Sequence, residues 1–451
     1  MSKIAIIGAG GVIFTRNFIN DILLDSQLRQ CQVTLMDISR ERLGHAGKMV
    51  QVIAERFGVD FHPELTTDLH QAVRGADYVI TVFRVGELKH QRLEYEIPLK
   101  YGVDQVVGDT LNPGGVFRGL RTLKALFEVI DAMESECPGA YLFNYVNPMS
   151  LNTIALNSRA KTVKVFGLCH SVQHTVSELA EYLKLDRGEI RFQAAGVNHQ
   201  AFMLKLEKDG QDLYPALRKC LNMPKIYNRD KVRFEIMREF GYFPTESSGH
   251  NSEYNPYFRK RRDLIDQYCA VTAPPHPDDH HHGYLICAGV SGASLQVCPI
   301  LQENNRKVLD ELLKGNNSIE PEPSLEYGVQ IISAIERNQT FEANLNVINN
   351  GLIPLLPPNA CVEVPCLVSG GGIFPCRISH YPEQLAALNR GMVNVQILGA
   401  QGASNHDRES IFHAVCMDPL TAAVCSLPEI RKMTDELFEA LKDQIEPEFF
   451  A

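Results

Sequence analysis

Lys3-Ile4-Ala5-Ile6-Ile7-Gly8-Ala9-Gly10-Gly11-Val12-Ile13 opens the chain with a short apolar run, a glycine turn and the start of a helical pattern. A strand feeding a helix through Gly-x-Gly is the dinucleotide fingerprint. Its first glycine makes the turn and its second lets a pyrophosphate approach the helix N-terminus. Ile13 stands where the fingerprint has its third glycine, and a bare Gly-x-Gly is also compatible with an ordinary strand-to-helix turn. The next strand favours the nucleotide reading. Gln32 to Met36 ends on Asp37, where a carboxylate can accept hydrogen bonds from both ribose hydroxyls and repel a 2′-phosphate. Gly8, Gly10, Gly11 and Asp37 are therefore the expected contacts for NAD, in preference to NADP.

Working outward, Ile4–Ile7, Gln32–Met36, Tyr78–Phe83, Tyr141–Tyr145 and Val163–Leu168 are short apolar runs separated by helical patterns. This alternation predicts an α/β fold with an N-terminal Rossmann-like parallel sheet. Gly75-Ala76-Asp77-Tyr78-Val79-Ile80 and Asn144-Tyr145-Val146-Asn147-Pro148 resemble segments of the lactate and malate dehydrogenases. Asn147, at a strand end, is placed to meet cofactor or substrate, although a turn before proline also uses asparagine. Beyond residue 200 the pattern changes. Tyr242–Arg262 is polar, aromatic and basic, and a loop from Ala273 carries His280, His281 and His282 beside Asp278 and Asp279. Strand-like runs return at Leu345–Ile348 and Cys361–Val368, and an amphipathic helix is expected over Leu427–Ile445. The domain expectation is a nucleotide-binding domain over 1–196 and a mixed α/β substrate and oligomerisation domain over 197–451.

Composition narrows the function classes. The chain has 451 residues, 45% hydrophobic and 22% charged, which suits a soluble globular protein of two domains. A net charge of -10 speaks against a polyanion-binding surface, so no nucleic-acid partner is expected. The N-terminus runs directly into the first strand and no long apolar stretch follows. A cytoplasmic protein without membrane partners is the expectation. The 12 cysteines form no C-x-x-C pair and are expected to be reduced thiols, most of them in the core.

Chemistry concentrates after the fifth run, where Gly167-Leu168-Cys169-His170-Ser171-Val172 is followed by Asn198-His199-Gln200. A thiolate and an imidazole at two strand ends can hold a borderline divalent ion with positions left open for substrate oxygens. On spacing alone, a buried structural cysteine and a hydrogen-bonded core histidine are the simpler explanation. The histidine run at 280–282 is a weaker metal candidate, because consecutive residues in a Pro-rich loop point apart. The basic run Arg259-Lys260-Arg261-Arg262 reads as a solvated surface or subunit contact, with a uronate-binding anion site as the lesser alternative.

Several motifs in order change the balance. The glycine loop, Gly108-Asp109-Thr110-Leu111-Asn112-Pro113-Gly114-Gly115, Asn144 to Pro148, Cys169 to Val172, Val197-Asn198-His199, the run Thr245 to Tyr254, and Val362-Glu363-Val364-Pro365 span nearly the whole chain. Together they resemble glycoside hydrolase family 4, whose NAD-dependent mechanism is an exception to two-carboxylate glycoside hydrolysis. The resemblance implies hydride abstraction from C3 of the sugar, deprotonation at C2, elimination of the aglycone from C1, water addition and re-reduction. It implies Cys169 and His199 as ligands of a divalent metal, usually manganese. It further implies Tyr254 as the C2 base, with Tyr257 as a nearby competitor, Asp109 as the acidic residue raising its basicity, and Asn147 as a binder of substrate hydroxyls. The phospho-glycosidases of the family carry aspartate after the metal cysteine, in the proton-donor position, whereas this chain has His170, able to protonate a leaving group or to contact a hydroxyl. Gln91 stands at the family's usual arginine position. Cys169-His170-Ser171-Val172 resembles the α-galactosidase branch, so the expected partner is a small α-galactoside such as melibiose, and the expected assembly a homodimer or homotetramer. Alternatives are an α-glucosidase, an α-galacturonidase or an α-glucuronidase of the same family. From another class, an NAD-dependent polyol or hydroxy-acid dehydrogenase is the alternative, but it would not need Cys169 and His199.

Overall fold

The structure, a computed structural model, describes residues 2–269, 284–314 and 323–451. The opening runs form the parallel half of one sheet. Strands β1 (Lys3–Ile7), β2 (Gln32–Met36), β3 (Glu64–Thr66), β4 (Tyr78–Thr81), β5 (Tyr141–Asn144) and β6 (Lys164–Gly167) lie in the order β3-β2-β1-β4-β5-β6. Every neighbouring pair in this half is parallel. Ile4, Ile6, Val79 and Ile80 are wholly buried, as expected of strands covered by helices on both faces. Because β2 and β4 lie on opposite sides of β1, a crevice opens at the carboxyl ends of β1 and β4. The α/β class with a Rossmann-like sheet, expected from the sequence, is the one observed.

Several element ends differ from expectation, β4 and the last long helix among them. β4 stops at Thr81 and does not reach Phe83. Val82 N–H still bonds Ile7 O at 2.9 Å, and the chain then leaves the sheet to bring Phe83 over Gly8. The last long helix is Leu427–Ala440 and does not reach Ile445; the tail closes in a 3-10 turn at Pro447–Phe450.

The sheet continues past β6. Strands β7 (Arg191–Val197), β8 (Gln200–Lys208), β9 (Gln211–Asp212), β10 (Phe341–Ile348), β11 (Cys361–Ser369) and β12 (Gly372–Pro375) extend it antiparallel in the order β6-β10-β11-β7-β8-β9, with β12 beside β11. The joins are narrow. β10 meets β6 at Asn346 and Gly167, and β11 meets β7 at Glu363 and Gly196. A Cβ on Gly167 would lie 2.9 Å from Asn346 Cβ across the join, so a side chain there would push the strands apart. This path brings the loop after β6, which carries Cys169, against the β7–β8 turn, which carries His199. A separate apolar cluster including Val176, Leu179, Leu206, Phe234 and Phe243 packs helices Ser171–Leu183 and Lys231–Phe240 onto the β7–β8 hairpin.

The polar stretch from Tyr242 contains an element that periodicity does not reveal. Ser247 caps a helix over Ser248–Tyr254 by accepting the His250 N–H at 3.3 Å, and every residue of that helix is buried. With polar residues all round, it has no apolar stripe to read. The basic run is not uniformly surface. Arg259 is 1% exposed and pairs with Asp104 at 2.9 Å, while Arg261 and Arg262 are exposed and pair with Asp263 and Asp266. His280–His282, with Asp278 and Asp279, lie outside the described residues. All 12 cysteines are free thiols, seven of them buried and Cys376 exposed. Among the described residues no helix is long and apolar enough to cross a membrane.

Candidate active site

Two groups of expected residues occupy neighbouring places along the carboxyl ends of the strands. The first is the glycine turn. Gly8 sits at φ +94, and a Cβ there would lie 2.6 Å from Phe83 Cβ; one on Gly10 would lie 2.5 Å from Asp37 Oδ2. Both positions therefore require glycine. Gly11 begins the helix Val12–Leu24 with no side-chain cap, leaving its first N–H groups open to an anion. Asp37, directly after β2, accepts Gly10 N–H at 3.0 Å and pairs with Arg42 at 2.8 Å. A cavity of about 600 Å³ lies over these residues, walled by Met36, Ile38, Leu69, Phe83 and Arg84. The glycine cradle, the uncapped helix end and the carboxylate fit a dinucleotide.

The second group is a buried polar cluster. Cys169 Sγ lies 3.4 Å from His199 Nε2. His199 Nδ1 contacts Thr110 Oγ1 at 2.7 Å, and Thr110 Oγ1 donates to Asp109 Oδ1 at 2.8 Å. With Nδ1 as donor to Thr110, Nε2 keeps its lone pair on the Cys169 side, as a metal ligand requires. Asn147 Nδ2 donates to Asp109 Oδ2 at 3.0 Å, while Asn147 Oδ1 is buried with no hydrogen-bond partner. Tyr254 Oη stands 3.5 Å from His199 Nδ1. Tyr257, its competitor in the sequence, is 51% exposed, whereas Tyr254 is 2% exposed. The structure thus gathers Asp109, Asn147, Cys169, His199 and Tyr254. His170 lies beside Cys169, with Nδ1 3.4 Å from Glu326 Oε1. Gln91 stands apart from this cluster, bonded to Ser294 at 3.0 Å and to Arg84.

Charge in the cluster follows from burial and neighbours. Burial pushes the Cys169 thiol up to about 11, so the metal-free cysteine is protonated at neutral pH. Burial also lifts the Tyr254 phenol well above its usual range, and the Asp109 and Glu253 carboxylates reinforce this. Asp109 itself resists burial. The hydrogen bond and charge of His250, with Arg118 and His199, hold it well below the usual carboxylate range. Burial would lower His170, but Glu326, with Cys169 and Glu246, raises it to about 9. A cation placed between Cys169 and His199 would reverse the balance at the thiol and the phenol, because positive charge favours both anions.

Several residues of the cluster were not singled out by sequence reasoning. Thr110 links Asp109 to His199. Glu253 accepts the consecutive N–H groups of Val106, Val107 and Gly108 at 2.6, 3.0 and 3.3 Å, fixing the loop that carries Asp109. His250 lies with Nε2 3.6 Å from Asp109 and Nδ1 3.2 Å from Glu246. Glu363, on β11, is fully buried, and burial pushes it up to about 7 against the charge of His199. His250 and Tyr254 stand at helical i,i+4 spacing, a signal that shared orientation could have flagged. Thr110 and Glu363 give no local signal. His199 and Glu246 hold φ values of +64 and +69. Left-handed backbone in such residues concentrates at working sites.

Two family models match the chain, Family 4 glycosyl hydrolase over residues 3–185 and Family 4 glycosyl hydrolase C-terminal domain over residues 194–421. An alpha-galactosidase of Bacillus subtilis is 38% identical, covering 100% of both chains. An alpha-galactosidase of Rhizobium meliloti is 34% identical over 97% of this chain and 88% of its own. The 6-phospho-beta glucosidase of Thermotoga maritima, solved with manganese, NAD+ and glucose-6-phosphate, shares the fold with a TM-score of 0.75 at 20% identity, covering 98% of this chain and 99% of its own.

Proposed function

Since the chain belongs to family 4 of the glycosyl hydrolases, we propose that it is an α-galactosidase dependent on NAD and Mn²⁺, hydrolysing small α-galactosides such as melibiose. The observation that carries this reading is the convergence of Cys169, His199, Asp109 and Tyr254 beside the glycine cradle. The glycone assignment draws support from two full-length relatives named alpha-galactosidase and from His170 in place of an acid after Cys169. Gly8, Gly10, Gly11 and Asp37 would hold NAD; Cys169 and His199 would hold the cation. When bound, the dinucleotide would supply reversible hydride acceptance, and the cation would supply positive charge to stabilise oxyanions that form on the sugar.

The chain's own residues divide the remaining work. Tyr254, as phenolate, takes the proton from C2. Asp109 and Glu253 keep that oxygen basic. Thr110 holds the His199 tautomer through its bond to Asp109. Asn147 directs its unpaired Oδ1 to a substrate hydroxyl donor. His170, cationic beside Glu326, protonates the departing aglycone oxygen as the C1–O bond breaks, and the neutral imidazole then takes a proton from the water that adds to C1. Return of the C2 proton from Tyr254 restores that phenolate, and with the C3 oxidation reversed, hydroxyl proton and hydride together, the dinucleotide would not be consumed. The cytoplasm suits this chemistry, since it keeps thiols such as Cys169 reduced.

The test is turnover of an aryl α-galactoside in D₂O with NAD⁺, Mn²⁺ and a thiol reductant. Deuterium at C2 of the released galactose is the expected result. Turnover without C2 deuterium refutes the proposed chemistry, and turnover of glucosides or uronides in place of galactosides refutes the glycone assignment.

A further inference from the structure

Glu246 stands outside the roles assigned above, yet its carboxylate lies at the metal position. Its oxygen, Cys169 Sγ and a His199 ring nitrogen all lie within 4.8 Å of one another. We propose that Glu246 is a third protein ligand of the cation, completing a Cys169–His199–Glu246 set. The inference rests on the reading of Cys169 and His199 as metal ligands.

The backbone supports it. Glu246 holds φ +69, which an L side chain rarely adopts. The surrounding fold grips it there. Glu246 N–H donates to Thr175 Oγ1 at 3.2 Å, and Glu246 O accepts from the Arg233 guanidinium. Arg233 is itself 1% exposed and locked to Asp230 and Glu178. This clamp fixes the backbone from which the side chain, 21% exposed, reaches Cys169 and His199. In the structure the carboxylate contacts His250 Nδ1 at 3.2 Å, but that nitrogen also has Ser247 Oγ at 2.8 Å. His250 therefore retains a neutral partner if Glu246 turns to the cation.

Charge and donor chemistry point the same way. A thiolate and a neutral imidazole leave a divalent cation with one uncompensated positive charge in a buried site, which is unfavourable. A carboxylate neutralises it. Manganese prefers oxygen donors to sulfur, and one carboxylate added to two other ligands still leaves open positions for two sugar oxygens. Glu246 also comes from a segment separate from those of Cys169 and His199, so the cation would tie the 245–254 segment, with Tyr254 at its end, to the strand ends.

The experiment is metal binding to the cofactor-free chain, independent of any sugar. Mn²⁺ affinity is read from the electron paramagnetic resonance of free Mn²⁺, and Co²⁺ is titrated as a spectroscopic probe. Glu246→Gln is expected to weaken Mn²⁺ binding by at least about tenfold, since even outer partners of metal ligands cost about 10–100-fold. The Co²⁺ ligand-field bands should shift, while the thiolate charge-transfer band from Cys169 persists. Glu246→Asp, retaining the carboxylate, should fall between Gln and the native residue. An unchanged Mn²⁺ affinity and unchanged Co²⁺ bands in Glu246→Gln would overturn the proposal and leave Glu246 as a partner of His250. Absence of Mn²⁺ binding in the native chain would sink the proposal together with the ligand reading of Cys169 and His199. Matching circular dichroism of the metal-free variants separates ligand loss from misfolding.

Discussion

The glycine cradle and the Cys169–His199 cluster both lie at the carboxyl ends of the strands but are built in opposite ways. At the glycine cradle, Gly8, Gly10 and Asp37 sit on one strand–turn–helix–strand unit, Gly10 and Asp37 bond within it, and only Phe83, after β4, packs over Gly8 from outside. Backbone shape dominates there, and the wall of the cavity is partly exposed, with Ile38 83% accessible. In the cluster, Asp109, Asn147, Cys169, His199 and the Glu246–Tyr254 segment come from five separate parts of the chain, and side chains make nearly all the contacts. The lesson is that a site made of backbone geometry can be modular, whereas a site made of mutually bonded side chains must respond as a unit.

That contrast can be tested in order of expected effect. Tyr254→Phe, removing only the phenol oxygen, should lower kcat by about 10²–10⁴-fold, the usual worth of a positioned base. Steady-state kinetics would place Tyr254 outside the reaction if kcat stayed within a few-fold of native. Thr110→Val removes the link between Asp109 and His199 without changing side-chain volume much. It should weaken Mn²⁺ binding by about 10–100-fold and lower kcat with it; a fall in only one of the two would mean that the cluster is less coupled than its bonds suggest.

Gly10→Ala tests the other side of the comparison. The added methyl would meet Asp37 at 2.5 Å, so NAD affinity, measured by fluorescence titration, should drop on the order of tenfold through local over-packing. Mn²⁺ affinity should not move. If both affinities fell together, the two ends would not be independent.

The smallest effect is expected from a purely local contact. Glu134 accepts N–H bonds from Lys161, Thr162 and Val163 at 2.7, 2.9 and 3.0 Å. Although the slight burial opposes it, these bonds lower its carboxyl to about 2 from 4.5. A folded-state value below the unfolded one contributes stability that is present above pH 4.5 and lost as the pH falls toward 2. The melting temperature of Glu134→Gln should therefore trail native slightly at pH 6, and the gap should narrow steadily as the pH falls from 4.5 toward 2. A gap that did not narrow over that range would show that the charge is not what the loop uses.

The parallel half was legible because its strands are continuous apolar runs bounded by glycine and asparagine, and burial on both faces writes itself into such runs. Pro365 within β11 and the sparse joins at Gly167 and Gly196 left no comparable signal for the sheet's continuation. The helix Ser248–Tyr254 was invisible for a related reason, since a buried helix made of polar residues lacks the apolar period. Arg259 looked like surface because four basic residues run together; Asp104, remote in sequence, is what allows one of them inside.

The sequence by itself determined the glycine turn, Asp37 as its partner, the α/β class and, through several motifs in order, the residues Asp109, Asn147, Cys169, His199 and Tyr254. These are properties of local backbone demand and of residue type, which a chain carries in linear form. Only the tertiary structure decided that Thr110 joins Asp109 to His199, that Glu253 ties down the Asp109 loop, and that Glu246 is clamped toward Cys169. Those contacts depend on the sheet passing from β6 through β10 and β11 to β7, which brings distant segments to within a few ångströms of one another. Short-range hydrogen bonding and Coulomb interactions act on distance in space, and sequence separation carries no record of it.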